Sequence, residues 1–225
     1  MPTVTVTGAG WRVRRLRAGA AALHGEPLPA APGRAAWVLE ATAPALVLGS
    51  TQGEDLVDGP AARSRGVEVV RRRSGGGAVW VDPVTTAWVD VILPAGDPLW
   101  DDDVGRAARW VGRAWRAALA DLGVEPTEVH DGPLACGPLG RLVCFGTVGA
   151  GEVTTPDRRK VVGVSQRRTR DAARYQCAVY RLWAPDLLAD LLCLDDDARA
   201  VLAMAAMGVG REPDDIVDAF LRHLP

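Results

Sequence analysis

Lysine is nearly missing from this chain of 225 residues: of 26 basic residues, all but Lys160 are arginine. Histidine is scarce too, with only His24, His130 and His223, which argues against a multi-histidine metal site. The four cysteines (Cys136, Cys144, Cys177 and Cys193) form no Cys-x-x-Cys pair and no zinc-ligand spacing, so a metal cluster and a disulfide framework are not expected. Free thiols fit a reducing, cytoplasmic setting. No run approaches the ~20 apolar residues of a membrane span. The first 25 residues carry arginines but no long apolar core, so they do not read as a signal peptide. A net charge of −2 gives no general attraction to nucleic acid or to an anionic membrane.

What is present suits a globular protein. Apolar residues make up 48% and charged residues 24%, and the length allows one sizeable core. We expect a single domain over 1–225 with a short helical tail. Alternation or short apolar runs predict strands over 3–7, 45–48, 67–70, 86–93, 142–145, 160–164 and 174–180. Residues 19–35 read as a loop with one helical turn, and 131–140 as a turn-rich loop. One long helix is expected over 101–122, with Val104, Ala107, Val111, Trp115, Ala118 and Leu122 at helical spacing. Its three leading aspartates suit the positive end of the helix dipole. Three shorter helices are expected after Pro185, around 187–192, 198–207 and 214–221. Strands early and helices late predict a mixed α/β (α+β) protein with a largely antiparallel sheet.

Two segments carry chemistry. In Arg71-Arg72-Arg73-Ser74-Gly75-Gly76-Gly77-Ala78-Val79, three glycines let backbone amides approach a ligand without Cβ obstruction, and arginines can fork onto an anion. A turn with solvated arginines is the plainer alternative. The segment is neither a Walker loop nor a dinucleotide fingerprint. The second segment is Arg159-Lys160-Val161-Val162-Gly163-Val164-Ser165-Gln166. Against so strong an arginine bias, a retained lysine suggests a need for a compact ammonium. It could polarise a carbonyl, hold a phosphate or accept a proton, or simply face solvent on a strand.

Together these segments resemble the lipoate–protein ligase and octanoyltransferase family, whose pattern is Arg-Arg-x-Ser-Gly-Gly-Gly-Ala-Val followed by Gly-Arg/Lys-Lys-x-x-Gly-x-Ala-Gln. Ala45 to Gln52 is similar to the family's preceding strand and turn. The resemblance spans roughly 37–180. It implies the biotin/lipoate ligase catalytic fold, a mixed sheet flanked by helices. It implies attachment of lipoate, or a related medium-chain acyl group, to a lysine of a lipoyl carrier domain from a 2-oxoacid dehydrogenase or glycine cleavage protein. Carried over by position, Arg72, Ser74, Gly75, Gly76, Gly77 and Ala78 would line the acyl pocket. Lys160 would meet the acyl carbonyl and phosphate, with Gly163 beside it.

The resemblance leaves two routes. The ligase route would use ATP and Mg²⁺. One transferase branch has Cys-Phe, then Glu, then the lysine; Cys144-Phe145, Glu152 and Lys160 repeat that order. Cys144 would then carry the acyl group taken from an acyl carrier protein, since an ammonium favours a neighbouring thiolate. A buried, inert Cys144 is the alternative. The Gly segment tilts the sequence reading toward the ligase route. Gly151-Glu152-Val153 stands where ligases carry Asn-Asp, Gln176-Cys177-Ala178 where the family has Gln-His-Gly, and residues 16–23 where it has its first helix. These departures raise a third reading, a module that binds an acyl-adenylate or a lipoyl domain without chemistry. Trp80, Trp88, Trp110 and Trp115 are expected in the core. His130-Asp131 reads as a loop pair. Arg167, Arg168 and Arg170 could meet an acidic carrier or only solvent.

Overall fold

The architecture rests on strands whose alternate residues face two different layers. The computed structural model describes residues 4–7, 9–29 and 32–225; Thr3, at the start of the first expected strand, lies outside them. The elements, in chain order, are β1 (Val4–Val6), β2 (Arg12–Ala18), α1 (Ala20–Gly25), β3 (Ala35–Ala41), β4 (Ala45–Leu48), α2 (Gly59–Ser64) and β5 (Glu68–Arg71). Next come β6 (Val79–Val81), β7 (Thr86–Pro94), α3 (Val104–Ala107), α4 (Arg109–Asp121), β8 (Glu128–Val129), β9 (Ala135–Cys136) and β10 (Thr147–Val148). The chain ends with β11 (Val153–Thr154), β12 (Lys160–Arg168), β13 (Ala172–Tyr180), α5 (Pro185–Leu191), α6 (Asp196–Ala205) and α7 (Pro213–Arg222).

Among the described residues an eight-stranded sheet runs β1-β2-β3-β7-β13-β12-β11-β8, with a three-stranded sheet β5-β4-β6 beside it. Pairing in the large sheet is antiparallel except β2 with β3. The mixed, largely antiparallel sheet flanked by helices is therefore the observed class.

Period-two patterning decides the layers. Val89, Val91 and Leu93 of β7, with Tyr175, Cys177 and Val179 of β13, join the core under α4 and α7. Helix α4 buries Trp110, Val111, Ala114, Trp115, Ala118 and Leu119 at three- and four-residue steps, which is one helix face. Trp115 stacks on Phe220 of α7 with ring centroids 3.9 Å apart. The other β7 and β13 residues, Trp88, Asp90, Arg174 and Gln176 among them, face α1 and the small sheet.

That second face holds charge. Asp90 is fully buried, and its carboxylate takes Arg174 Nε at 2.6 Å and Trp88 Nε1 at 2.8 Å. The rest of the Arg174 guanidinium donates to the carbonyls of Leu23 and Glu26, at 3.0 and 2.9 Å. Both carbonyls lie at the C-terminal end of α1, where the backbone supplies few intrahelical donors. The fork thus caps α1 and fixes it to the sheet.

Four expectations need correction. The helix over 101–122 is two. Asp101 and Asp103 side chains accept amides two residues on, which delays the start to Val104, and the chain breaks at Ala108, where Gly151 passes in close contact. Residues 142–145 are not a strand. They make one bridge, Ala78 to Val143, and then a 3₁₀ turn over Cys144–Gly146. Leu16 to Ala18 finish β2, so the first helix begins at Ala20. The 131–140 loop contains β9, paired with β10. The strand Arg12–Ala18 and the strand Ala35–Ala41 went unread, because arginines mask the alternation in the first and the second is apolar almost throughout.

Arg174→Met should lower unfolding free energy by about 3–5 kcal/mol, the cost of leaving a buried charge unpaired. Asp90→Leu combined with Arg174→Met should recover much of that. Urea denaturation of the two variants checks the pair; equal losses in both would assign the effect to the α1 cap instead.

Candidate active site

The Gly segment owes its shape to Arg72. This buried side chain donates from Nη2 to the carbonyls of Gly75 and Gly77, at 2.8 and 2.9 Å. It therefore folds its own loop, a role beyond lining a pocket. Gly76 has φ +97°, and a Cβ at Gly77 would lie within 2.7 Å of the Val143 and Cys144 backbone. A side chain at Gly49 would strike the Gly76 carbonyl, while Gly75 is open. The loop is thus pressed onto residues 142–144, where Ala78 N donates to Leu142 O and Cys144 N to Ala78 O. Gln52 ties the same segment by accepting from Gly49 N and donating to Leu142 O.

These contacts deliver Cys144 to a narrow slot of about 40 Å³ bordered by Arg72, Cys144, Phe145, Gly163, Trp88 and His24. Gly163 is required there, because the Phe145 ring lies within 3.0 Å of where its Cβ would stand. Val79, Val81 and Ala178 add apolar wall. Ser74 lies beneath, its hydroxyl 3.3 Å from Gln176 Oε1.

Lys160 is fully buried at the start of β12 and does not border the slot. Its ammonium meets Glu152 Oε2 at 2.7 Å and the Cys144 carbonyl at 2.8 Å, and lies 5.1 Å from the centre of the Phe145 ring. Glu152 also accepts amides from Gly149 and Val164. The lone lysine is thus neither a solvated strand residue nor a free cation; a carboxylate already matches its charge. The structure brings Lys160, Glu152, Cys144 and Gly163 together around one turn.

The other thiols differ. Burial pushes the Cys177 thiol up, and Cys136 and Cys193 are exposed away from the slot. Among the described residues no group of three or more His, Cys, Asp or Glu side chains could hold a metal ion. Glu152, in the region of the ligases' Asn-Asp pair, is spent on Lys160. Among the described residues no helix is long and apolar enough to cross a membrane. His130 bonds the Pro133 carbonyl within its loop, and Arg168 is taken up by the carbonyls of Asp101 and Asp102.

Sequence reasoning missed His24. Its ring packs on Trp88, 4.5 Å between centroids, and its Nδ1 meets Gln176 Nε2 at 3.2 Å. Burial, with the Arg72 and Arg174 cations, pulls its pKa down to about 3. Its rarity was a signal in the composition, but nothing local to it marks a site.

A family model described as Lipoyl protein ligase A/B catalytic domain matches residues 30–200. No curated protein sequence matches the chain. Among solved structures, the chain is similar to a bipartite lipoate protein ligase of Thermoplasma acidophilum, studied with its E2 lipoyl domain. The TM-score is 0.69 at 17% identity, over 90% of this chain and 73% of the other. A lipoate-protein ligase A bound with ATP gives 0.63 at 18%, over 85% and 71%. LipL1 of P. falciparum in complex with lipoate gives 0.58 at 13%, over 88% and 51%. At these identities the likeness establishes the fold.

Gly77→Ala should cost about 1–3 kcal/mol, because the backbone it would strike cannot yield freely, while Gly75→Ala should leave stability unchanged. Thermal melts of both decide it. A neutral buried His24 adds a pH signature. The unfolded chain, with a histidine near pH 6.5, binds a proton that the folded chain refuses until about pH 3. Stability from this group is therefore complete above pH 6.5 and is lost as pH falls toward 3. His24→Gln should flatten that part of a stability-versus-pH curve measured by urea titration.

Proposed function

This chain belongs to the lipoyl protein ligase A/B catalytic-domain family, and from that premise we propose that it attaches a lipoyl or related medium-chain acyl group to a lysine of a lipoyl carrier domain, through a thioester on Cys144. One observation carries the choice of route: Cys144 borders the apolar slot, while the Lys160 ammonium lies behind it, matched by Glu152 and a carbonyl. A lysine that must grip an adenylate phosphate needs an unspent charge facing the ligand. A lysine that steadies the turn bearing a nucleophile does not.

In the first half-reaction the Cys144 thiolate attacks the carbonyl of an acyl thioester, such as an acyl carrier protein supplies. The new C–S bond forms, the donor's C–S bond breaks, and the donor leaves as a thiol with the proton Cys144 gave up. In the second, the neutral amine of the carrier lysine attacks the Cys144 thioester. The amide forms and Cys144 regains a proton as the thiol. Nothing is oxidised and no nucleotide is consumed. Lys160 holds the Cys144 carbonyl and sets a fixed positive charge beside the nucleophile's residue, and Glu152 compensates that charge.

The ligase reading keeps one specific support. Arg71 and Arg73 are exposed on either side of Arg72, next to the open Gly75, where forked donors could take a nucleotide phosphate. The likeness to an ATP-bound ligase fits that reading too.

Mass spectrometry of a purified lipoyl domain separates the routes. With octanoyl carrier protein and no ATP, the wild type should modify the domain, and its own intact mass should show an acyl adduct that hydroxylamine removes. Cys144→Ser should lose at least 100-fold of that rate, because an alkoxide forms far less readily than a thiolate (roughly the scale of a lost nucleophile). Modification only with lipoate plus ATP, unchanged in Cys144→Ser, would establish the ligase route instead.

A further inference from the structure

Two residues that border the slot each keep a side-chain nitrogen that the protein itself does not use. Among its bordering residues, His24 Nε2 and Arg72 Nε are shielded from solvent and have no partner among the described residues. Buried donors are almost always paired, and one left unmet costs ~1–3 kcal/mol.

The state of His24 follows from its neighbours. Asp90 already takes Arg174 and Trp88, so the end of the Gln176 amide that faces it, 3.4 Å from Oδ2, is the NH₂. The amide oxygen then takes the Ser74 hydroxyl. The same NH₂ faces His24 Nδ1 at 3.2 Å, so Nδ1 accepts and the proton sits on Nε2. The charged groups around the ring are Asp90 from β7, Arg174 from β13 and Arg72 from the Gly segment. Burial, with the two arginines, keeps the ring neutral. His24 is thus an N–H donor with its tautomer fixed by a chain of bonds that begins at a buried carboxylate.

Arg72 is fixed as firmly. Its Nη2 is spent on the Gly75 and Gly77 carbonyls and its Nη1 meets the Val47 carbonyl at 3.4 Å, while Nε has no partner among the described residues. The remaining walls are largely apolar. A medium-chain acyl group is apolar except for its carbonyl oxygen, which has two lone pairs. We propose that His24 Nε2–H and Arg72 Nε–H together receive the carbonyl oxygen of the acyl ligand, and that His24 is a substrate-positioning residue of this site. The inference rests on the acyl-slot reading above. It applies equally to the thioester and adenylate routes, since both present that oxygen. Two preorganised donors would favour the oxygen further as negative charge develops on it. The slot is narrow, so an alkyl chain must part its walls as it enters.

The test uses octanamide, which has the carbonyl and chain but no reactive group. With only three histidines in the chain, the His24 imidazole can be identified in ¹⁵N-histidine spectra by its loss in His24→Gln. In the free protein it should show the neutral Nε2–H tautomer from pH 5 to 8. Saturating octanamide should shift Nε2–H strongly and leave His130 and His223 in place. By calorimetry His24→Phe should weaken octanamide binding about 3- to 10-fold, the worth of one neutral hydrogen bond. His24→Gln, which keeps an N–H donor, should restore most of it. Octanamide binding with an unmoved His24 resonance, or equal affinity in His24→Phe, would overturn the role of His24 and leave the acyl slot standing. No octanamide binding by the wild type would overturn both.

Discussion

A carboxylate with no access to water organises this site. Asp90 can stay buried only because Arg174 and Trp88 donate to it, and each donor has a further duty. Arg174 reaches on to carbonyls at the end of α1, so a six-residue helix, too short to persist alone, is held against the sheet. Trp88 becomes the floor on which the His24 ring rests. Gln176 is oriented by the same carboxylate and sets the histidine's tautomer. Buried ion pairs are seldom the most stable choice for a core. Here the pair gives direction, fixing the Trp88 and His24 rings that border the slot.

A second buried pair works on the other side. Glu152 and Lys160 lie behind the Cys144 turn, and the lysine's last bond goes to the carbonyl of Cys144 itself. The backbone bearing the thiol is therefore gripped from behind by Lys160 and from the front by the Gly segment, which enters only because Gly77 has no side chain. Lys160, Cys144 and the glycine loop form one mechanical unit.

The sequence read by itself carried much of this. Lys160 stood out because arginine replaced every other lysine. The Gly segment stood out because three successive glycines are costly unless a close approach needs them. Cys144, Glu152 and Lys160 were legible as an order. The mixed, largely antiparallel class followed from strands placed early and helices clustered late in the chain. The strand expected at 142–145 failed because a short apolar run does not say whether its backbone finds a full partner strand. Val143 finds only Ala78, so the chain turns.

Residue types and spacing thus determined the family, the sheet and the chemical groups at hand, since those depend on local periodicity and on backbone freedom that glycine alone permits. Tertiary structure decided how the groups are used. Lys160 could have been an exposed cation; burial against Glu152, eight residues away in the chain but across β11 and β12 in space, makes it a matched one. Arg72 could have faced a ligand with its whole fork, yet two of its bonds close its own loop. His24 carries no local signal, because its role comes from Gln176 and Asp90, residues 152 and 66 positions further along. Hydrogen-bond partners that far apart are set by strand register and layer packing, which a linear pattern of residues does not encode.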